Sequence, residues 1–144
     1  MANPRPSLED AVSRFWSRVQ KTDTCWYWLG APKKKGKDYG VIRVMGRQRI
    51  VHRFAYELLR GWIPPGLTID HLCRNTRCVN PDHMETVPNR VNVLRGDGPT
   101  AVRARTTHCP KGHPYDLLNT IWTKSGRHCG MCQRLRWKKN QVEA

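Results

Sequence analysis

Residues 68–92 read TIDHLCRNTRCVNPDHMETVPNRVN, and they set two kinds of metal ligand side by side. Asp70 and His71 come first, Cys73, Cys78 and His83 follow at even spacing, and Asn92 closes the run. Thiolates and imidazoles are soft or borderline donors that suit zinc, whereas carboxylate and amide oxygens suit a hard ion such as magnesium. The stretch therefore implies a structural ion beside a catalytic one. On either side of the cysteines, Leu67–Leu72 and Met84–Val87 read as two strands, and Pro88 opens a helix carrying Asn92 and Arg95. The long connection between those strands would be a costly loop unless an ion tied it down.

A structural zinc site takes four ligands, and this stretch supplies three, Cys73, Cys78 and His83. A second set lies downstream: Cys109 and His113, then Cys129 and Cys132. Of the six cysteines only Cys25 is left over, so giving it to the first set uses every cysteine and makes both sites Cys3His. Two alternatives stay open: Cys25 as a buried free thiol beside Trp26 and Trp28, and His108 or His128 in place of His113. The Cys-x3-His spacing favours His113, because it lets both ligands face one ion. Three disulfides would need an oxidising compartment, and the opening MANPRPSLED has no apolar run of the secretory kind, so metal ligation in a reducing cytoplasm is the expectation.

The segment HLCRNTRCVNPDH (71–83), followed by Asn92, resembles HNH nucleases of the His-Cys box kind, a group that includes homing endonucleases and many bacteriophage HNH proteins. The resemblance spans about Cys25 to Arg95 and is most specific in Cys73, Cys78 and His83. It implies a ββα-metal site that cuts double-stranded DNA, with His71 as general base, Asn92 as a ligand of the catalytic divalent ion, and a distant upstream cysteine, here Cys25, as fourth zinc ligand. Asp70 matches the HNH proteins whose motif begins Asp-His and whose aspartate shares the catalytic ion; it departs from those that lean on the asparagine alone. His52-Arg53 followed by Tyr56-Glu57 also recurs in the group, which would bring Arg53 near the scissile phosphate; an ion pair of Arg53 with a carboxylate stays open as the alternative. The resemblance implies 5′-phosphate and 3′-hydroxyl products and one catalytic Mg2+ or Mn2+, while the partition of the cysteines gives two structural Zn2+ ions. The fold class expected is α+β: a small zinc-stapled ββα-metal nuclease core, an antiparallel hairpin sheet and a C-terminal zinc module.

Composition points to a polyanionic partner. The chain of 144 residues carries a net charge of +15, and the excess is spread: residues 1–95 hold 17 Lys/Arg against 8 acids, and residues 96–144 hold 9 against 3. A single-sign excess of this size repels itself in the compact state and is expected to meet nucleic acid. The expected organisation is an N-terminal helix in 1–22, the nuclease core in 23–95, a basic linker in 96–107 and the zinc module in 108–140. Ser7-x-x-Asp10 resembles a capping box, and Leu8, Val12, Phe15 and Val19 recur at helical spacing, so the first helix should run from about Leu8 to Gln20.

From Tyr39 to Val51 apolar and polar residues alternate around Gly46, as in an antiparallel sheet of two or three strands. Lys33, Lys34, Lys35 and Lys37 crowd the loop before it, and Arg43, Arg47 and Arg49 lie on or beside the hairpin, a shape that fits a major groove. His52 to Arg60 reads as a short helix stopped by Gly61. The stretch 96–107, with Arg103 and Arg105, lacks an apolar period and reads as a linker able to lie along DNA. Residues from Cys129 onward form a short basic helix. No run is long and apolar enough to span a membrane, and both a monomer and a homodimer remain open.

Chemically, cutting a phosphodiester needs a base and a cation, and an imidazole near pKa 6.5 accepts a proton at neutral pH where a carboxylate does so poorly. Adjacent strand residues point to opposite faces, so a bend at the strand end is needed for Asp70 and His71 to serve one phosphate. Asn80 is expected to make the Asn-Pro turn rather than orient His71. The competing function classes are a non-catalytic zinc-dependent DNA-binding protein and an RNA-binding zinc protein.

Overall fold

The computed structural model describes residues 7–32 and 39–142, which form two compact units divided between Asn92 and Val93. Lys33, Lys34, Lys35 and Lys37 lie outside the described residues.

The first unit opens with helix α1 (Leu8–Trp16). Its capping box forms as expected: the Asp10 amide donates to Ser7 Oγ at 3.1 Å and the Ser7 amide to Asp10 Oδ2 at 2.8 Å. The helix ends four residues earlier than its apolar spacing suggests, because Val19–Lys21 leaves it to become strand β1, paired antiparallel with β2 (Trp26–Trp28). Lys21 then lies over the rings of Trp16 and Trp26, at 4.8 and 4.1 Å, so this lysine stabilises its own hairpin.

Strands β3 (Val41–Val44) and β4 (Arg47–Ile50) form a second hairpin. Its two-residue turn, Met45-Gly46, has both residues at positive φ (48° and 81°), the geometry that matches strand twist. Helix α2 (Val51–Arg60) follows at once and stops at Gly61, φ 97°. Strands β5 (Leu67–His71) and β6 (Met84–Pro88) pair from Leu67↔Pro88 to His71↔Met84, and helix α3 (Asn89–Arg95) carries Asn92. The three hairpins are separate two-stranded sheets held by one core.

That core gathers around Phe15, Trp28 and Phe54, joined by Ile42, Val44, Val51, Ile69 and Met84. The Phe15 and Trp28 rings stack at 6.0 Å, and Phe54 meets Phe15 edge-on at 5.6 Å. Trp28 is only 1% exposed because glycine backbone walls it in: a Cβ on Gly40 would fall 2.1 Å from Trp28 Cδ1. Any side chain at position 40 would therefore displace the largest core residue.

The second unit has almost no apolar core. Helix α4 (Pro99–Arg105) occupies the stretch expected to be an irregular linker; it went unseen because only Ala101 of it is buried, which is too little to create a period. Strands β7 (Thr120–Thr123) and β8 (Gly126–Cys129) form a hairpin, and helix α5 (Gly130–Val142) follows. Among the described residues of this unit the buried ones are Ala101, Cys109, Asn119, Cys129 and Gly130. The mixture of helices with short antiparallel hairpins makes the chain α+β. Among the described residues no helix is long and apolar enough to cross a membrane.

Candidate metal centres and nuclease face

Four side chains converge in the first unit, Cys25 with the distant Cys73, Cys78 and His83, their ligand atoms all within 4.8 Å of one another. His83 Nδ1 lies 3.6 Å from Cys25 Sγ and 3.7 Å from Cys78 Sγ. A tetrahedral zinc with Zn–S near 2.3 Å and Zn–N near 2.0–2.1 Å sets ligand-to-ligand edges of about 3.6–3.8 Å, so the donor set fits that ion.

The framework is backbone. Val79 N–H donates to Trp26 O at 2.8 Å and Trp28 N–H to Arg77 O at 3.1 Å, so the cysteine loop is joined to β2 by an isolated antiparallel bridge at Tyr27↔Cys78. This is how Cys25, just before β2, reaches a cluster built nearly fifty residues later. Asn80 makes the Asn-Pro turn, accepting from the Asp82 amide at 3.1 Å to cap the 3-10 turn Pro81–His83. It also donates to Thr24 O at 3.3 Å, pinning the Cys25 loop. Burial pushes the Cys78 thiol up to about 12, against a donated backbone N–H from Asn80. A cation bound by this thiol would release its proton.

The second cluster joins Cys109, His113, Cys129 and Cys132, again within 4.8 Å. His113 Nδ1 is 3.5 Å from Cys109 Sγ and 3.7 Å from Cys129 Sγ, and Cys109 Sγ is 3.7 Å from Cys132 Sγ. A tight turn with Gly112 at φ 79° brings Cys109 and His113 together. The competing histidines lie elsewhere: His108 Nδ1 pairs with Thr107 Oγ1 at 3.0 Å, and His128 Nε2 with Ser125 Oγ at 3.0 Å.

Asn119 carries no motif in the sequence, yet its amide donates to Cys129 Sγ at 3.4 Å and its carbonyl accepts from the Met131 N–H at 2.7 Å. Burial raises the Cys129 thiol, but hydrogen bonds from the Cys132 backbone N–H, the Asn119 amide and the Cys132 and Cys109 side chains together hold it down to about 6. One member of the cluster is thus ready to bind a cation as thiolate.

His71 and Asp70 sit at the end of β5, both buried, 6% and 2% exposed. The strand keeps its register through His71↔Met84, and the turn comes directly after, closed by Arg74 N–H to His71 O at 3.0 Å with Arg74 at φ 58°. The two side chains have different surroundings. Asp70 Oδ1 accepts from Arg74 at 3.1 Å. His71 Nε2 lies 3.2 Å from the Cys78 carbonyl, and since a carbonyl only accepts, Nε2 carries the proton and Nδ1 is left as the basic nitrogen. Burial lowers the His71 pKa, while the Cys78 carbonyl and the Asp70 charge raise it.

Two further residues complete this face. His52, on the first turn of α2, meets His71 edge-on with ring centroids 4.8 Å apart, and Tyr39 lies 5.0 Å from His52 and 6.3 Å from His71. His52 is 6% exposed and its Nδ1 is buried without a hydrogen-bond partner. Burial, then the His71 and Arg53 charges, pull its pKa down to about 3, so the ring is neutral at any ordinary pH. Arg53 is half-buried next to it, and Asn92 is half-buried on α3.

Of the basic residues expected to meet DNA, Arg43 and Arg47 are exposed on the β3–β4 hairpin, and Arg49 pairs with Glu57 at 2.5 Å. In the second unit Arg103 is exposed, and Arg105 reaches Asp97 at 3.2 Å and the Gly96 carbonyl at 3.1 Å. Arg49 and Arg105 thus hold local structure.

Comparison with known proteins places a family on this face: residues 49–94 match the HNH endonuclease family. The segment runs from the end of β4 through α2, β5, the cysteine loop and β6 into α3. The gene 5.3 protein of Enterobacteria phage T3 is 39% identical over 44 residues, covering 31% of this chain and 44% of that protein. Protein 7.7 of Escherichia phage T7 is 37% identical over 62 residues (43% and 46%), and protein 2.8 of the same phage 32% over 72 residues (49% and 48%). The chain thus spans under half the length of these relatives. No solved structure matches it.

Proposed function

We propose that this HNH-family chain is a divalent-ion-dependent DNA endonuclease of bacteriophage type, acting in the host cytoplasm, in which His71 is the general base and zinc organises both units. The observation that carries the reading is the hydrogen bond from His71 Nε2 to the Cys78 carbonyl within the HNH-matched segment. It leaves Nδ1 free to take a proton, and it ties the orientation of the base to the cysteine loop. Zinc at Cys25, Cys73, Cys78 and His83 would hold that carbonyl in place, so the structural ion bears on the chemistry through one backbone oxygen.

In the reaction, His71 Nδ1 accepts a proton from water as the water oxygen attacks phosphorus in line, the bond from phosphorus to the 3′ oxygen breaks, and the departing oxygen takes a proton from solvent water to become the 3′ hydroxyl. A Mg2+ or Mn2+ ion held by the Asp70 carboxylate and the Asn92 amide oxygen would offset charge on the phosphate and on the departing oxygen. Arg74, paired with Asp70, keeps the buried carboxylate charge-matched before that ion arrives. Arg53 is assigned to the scissile phosphate, beside a His52 that stays neutral and adds no competing charge. Arg43 and Arg47 offer exposed charge on a two-stranded ribbon.

The test is plasmid cleavage with and without magnesium. The parent should nick only with the ion, and His71→Ala should cut roughly 10²- to 10⁴-fold more slowly while keeping its zinc, since it belongs to neither cluster. A parent that binds DNA but never cuts it under any divalent ion would establish the non-catalytic zinc-dependent DNA-binding reading instead.

A further inference from the structure

The second unit contains a groove of about 790 Å3 between α4 and the β7–β8 hairpin. Its lining includes Arg103, His108, Tyr115, Trp122, Arg127 and His128, and among the described residues no carboxylate lines it. Two of these residues have opposite characters. Arg127 is fully committed: its guanidinium lies 3.9 Å from the Tyr115 ring centre and donates to the carbonyls of Arg103 at 2.8 Å and Thr106 at 2.7 Å. It acts as a strut that fixes the end of α4 against the hairpin and so sets the groove's width.

Trp122, cross-strand from Arg127 in the same hairpin, is 74% exposed. A tryptophan left in water forgoes a large apolar burial, in a unit whose buried residues are small or polar. Most of its surface lies outside the unit's own packing, and it stands on the β7–β8 hairpin at a groove whose described lining residues include Arg103 and Arg127 and no carboxylate.

We propose that this groove is a binding site for an unpaired nucleobase of DNA, stacked on Trp122, with the adjoining phosphates held by Arg103. An aromatic face recognises any base, while cations beside it track the backbone, which is the combination that binds single strands. A base inside a duplex cannot present its face, so the site selects single-stranded or locally opened DNA. The inference rests on the DNA-nuclease reading and adds to it a substrate preference, for DNA with unpaired stretches over continuous duplex.

Binding of the full-length, zinc-loaded chain to labelled single-stranded and duplex DNA of one sequence, without divalent ion, tests it. Trp122→Ala should weaken single-strand binding roughly tenfold, the loss of one stacked base, and leave duplex binding within about twofold. Trp122→Phe should restore most of the loss, and both variants should keep the parent's zinc content. Single-strand affinity unchanged in Trp122→Ala, an equal loss on duplex, or tighter binding of the matching RNA strand would each overturn the proposal while leaving the nuclease intact. A parent that binds neither form of DNA would overturn the nuclease reading as well.

Discussion

Replacing His52 by phenylalanine should flatten the acid side of the stability curve. The folded chain holds this histidine at a pKa of about 3, against 6.5 when unfolded, chiefly because it is buried. With the folded value depressed, the unfolded chain binds the extra proton, so stability is full above about pH 6.5 and falls as pH drops toward 3. At pH 7 the histidine costs only about 0.2 kcal/mol. At pH 5 the unfolded ring is almost wholly protonated and the folded ring almost wholly neutral, a cost of about 2 kcal/mol; the limit below pH 3 is about 5 kcal/mol.

Phenylalanine keeps a ring in the site and sacrifices no bond at Nδ1, which has no partner. The assay is urea unfolding of parent and His52→Phe at pH 7 and pH 5 with the same excess of zinc. Zinc ligands also protonate in acid, but they do so in both proteins and cancel in the comparison. The parent should lose about 2 kcal/mol more than the variant between the two pH values. Equal losses would refute the argument, because they would mean that His52 is either protonated in the fold or solvated in it.

Elemental analysis of the purified chain should find two zinc ions, one for each cluster, and Cys129→Ser should lose one of them while the first unit keeps its cooperative unfolding. Asp70→Ala and Asn92→Ala should raise the magnesium concentration for half-maximal cutting, with manganese restoring part of the rate. His71→Ala should gain little from manganese, because it lacks a base rather than an ion ligand, and a titration of cleavage rate against each ion distinguishes the two behaviours.

What could be read from the residues alone was whatever local chemistry dictates. Cys73, Cys78 and His83 advertise themselves, and the count of six cysteines led to Cys25 although its route to the cluster, along β2, is a tertiary fact. The capping box at Ser7 and the stop at Gly61 are likewise local. Asn119, and the packing of His52 against His71, were not legible in that way. His52 looks like a polar residue opening a helix and Asn119 like any loop asparagine; each becomes significant only when chain distant in sequence, Tyr39 and His71 or Cys129 and Met131, closes over it.

Helix α4 and the β7–β8 hairpin were missed for a related reason: sequence patterning reports secondary structure through the apolar surface that an element buries, and these bury almost none. A unit whose described residues hide one alanine, one glycine, one asparagine and two cysteines gains little from hydrophobic burial against its conformational entropy. A metal ion held by Cys109, His113, Cys129 and Cys132 would supply what burial does not, with Asn119 supporting the cluster. Trp122 leaves most of its surface outside what packing that unit has, so the binding role proposed for it draws on surface that the fold does not use.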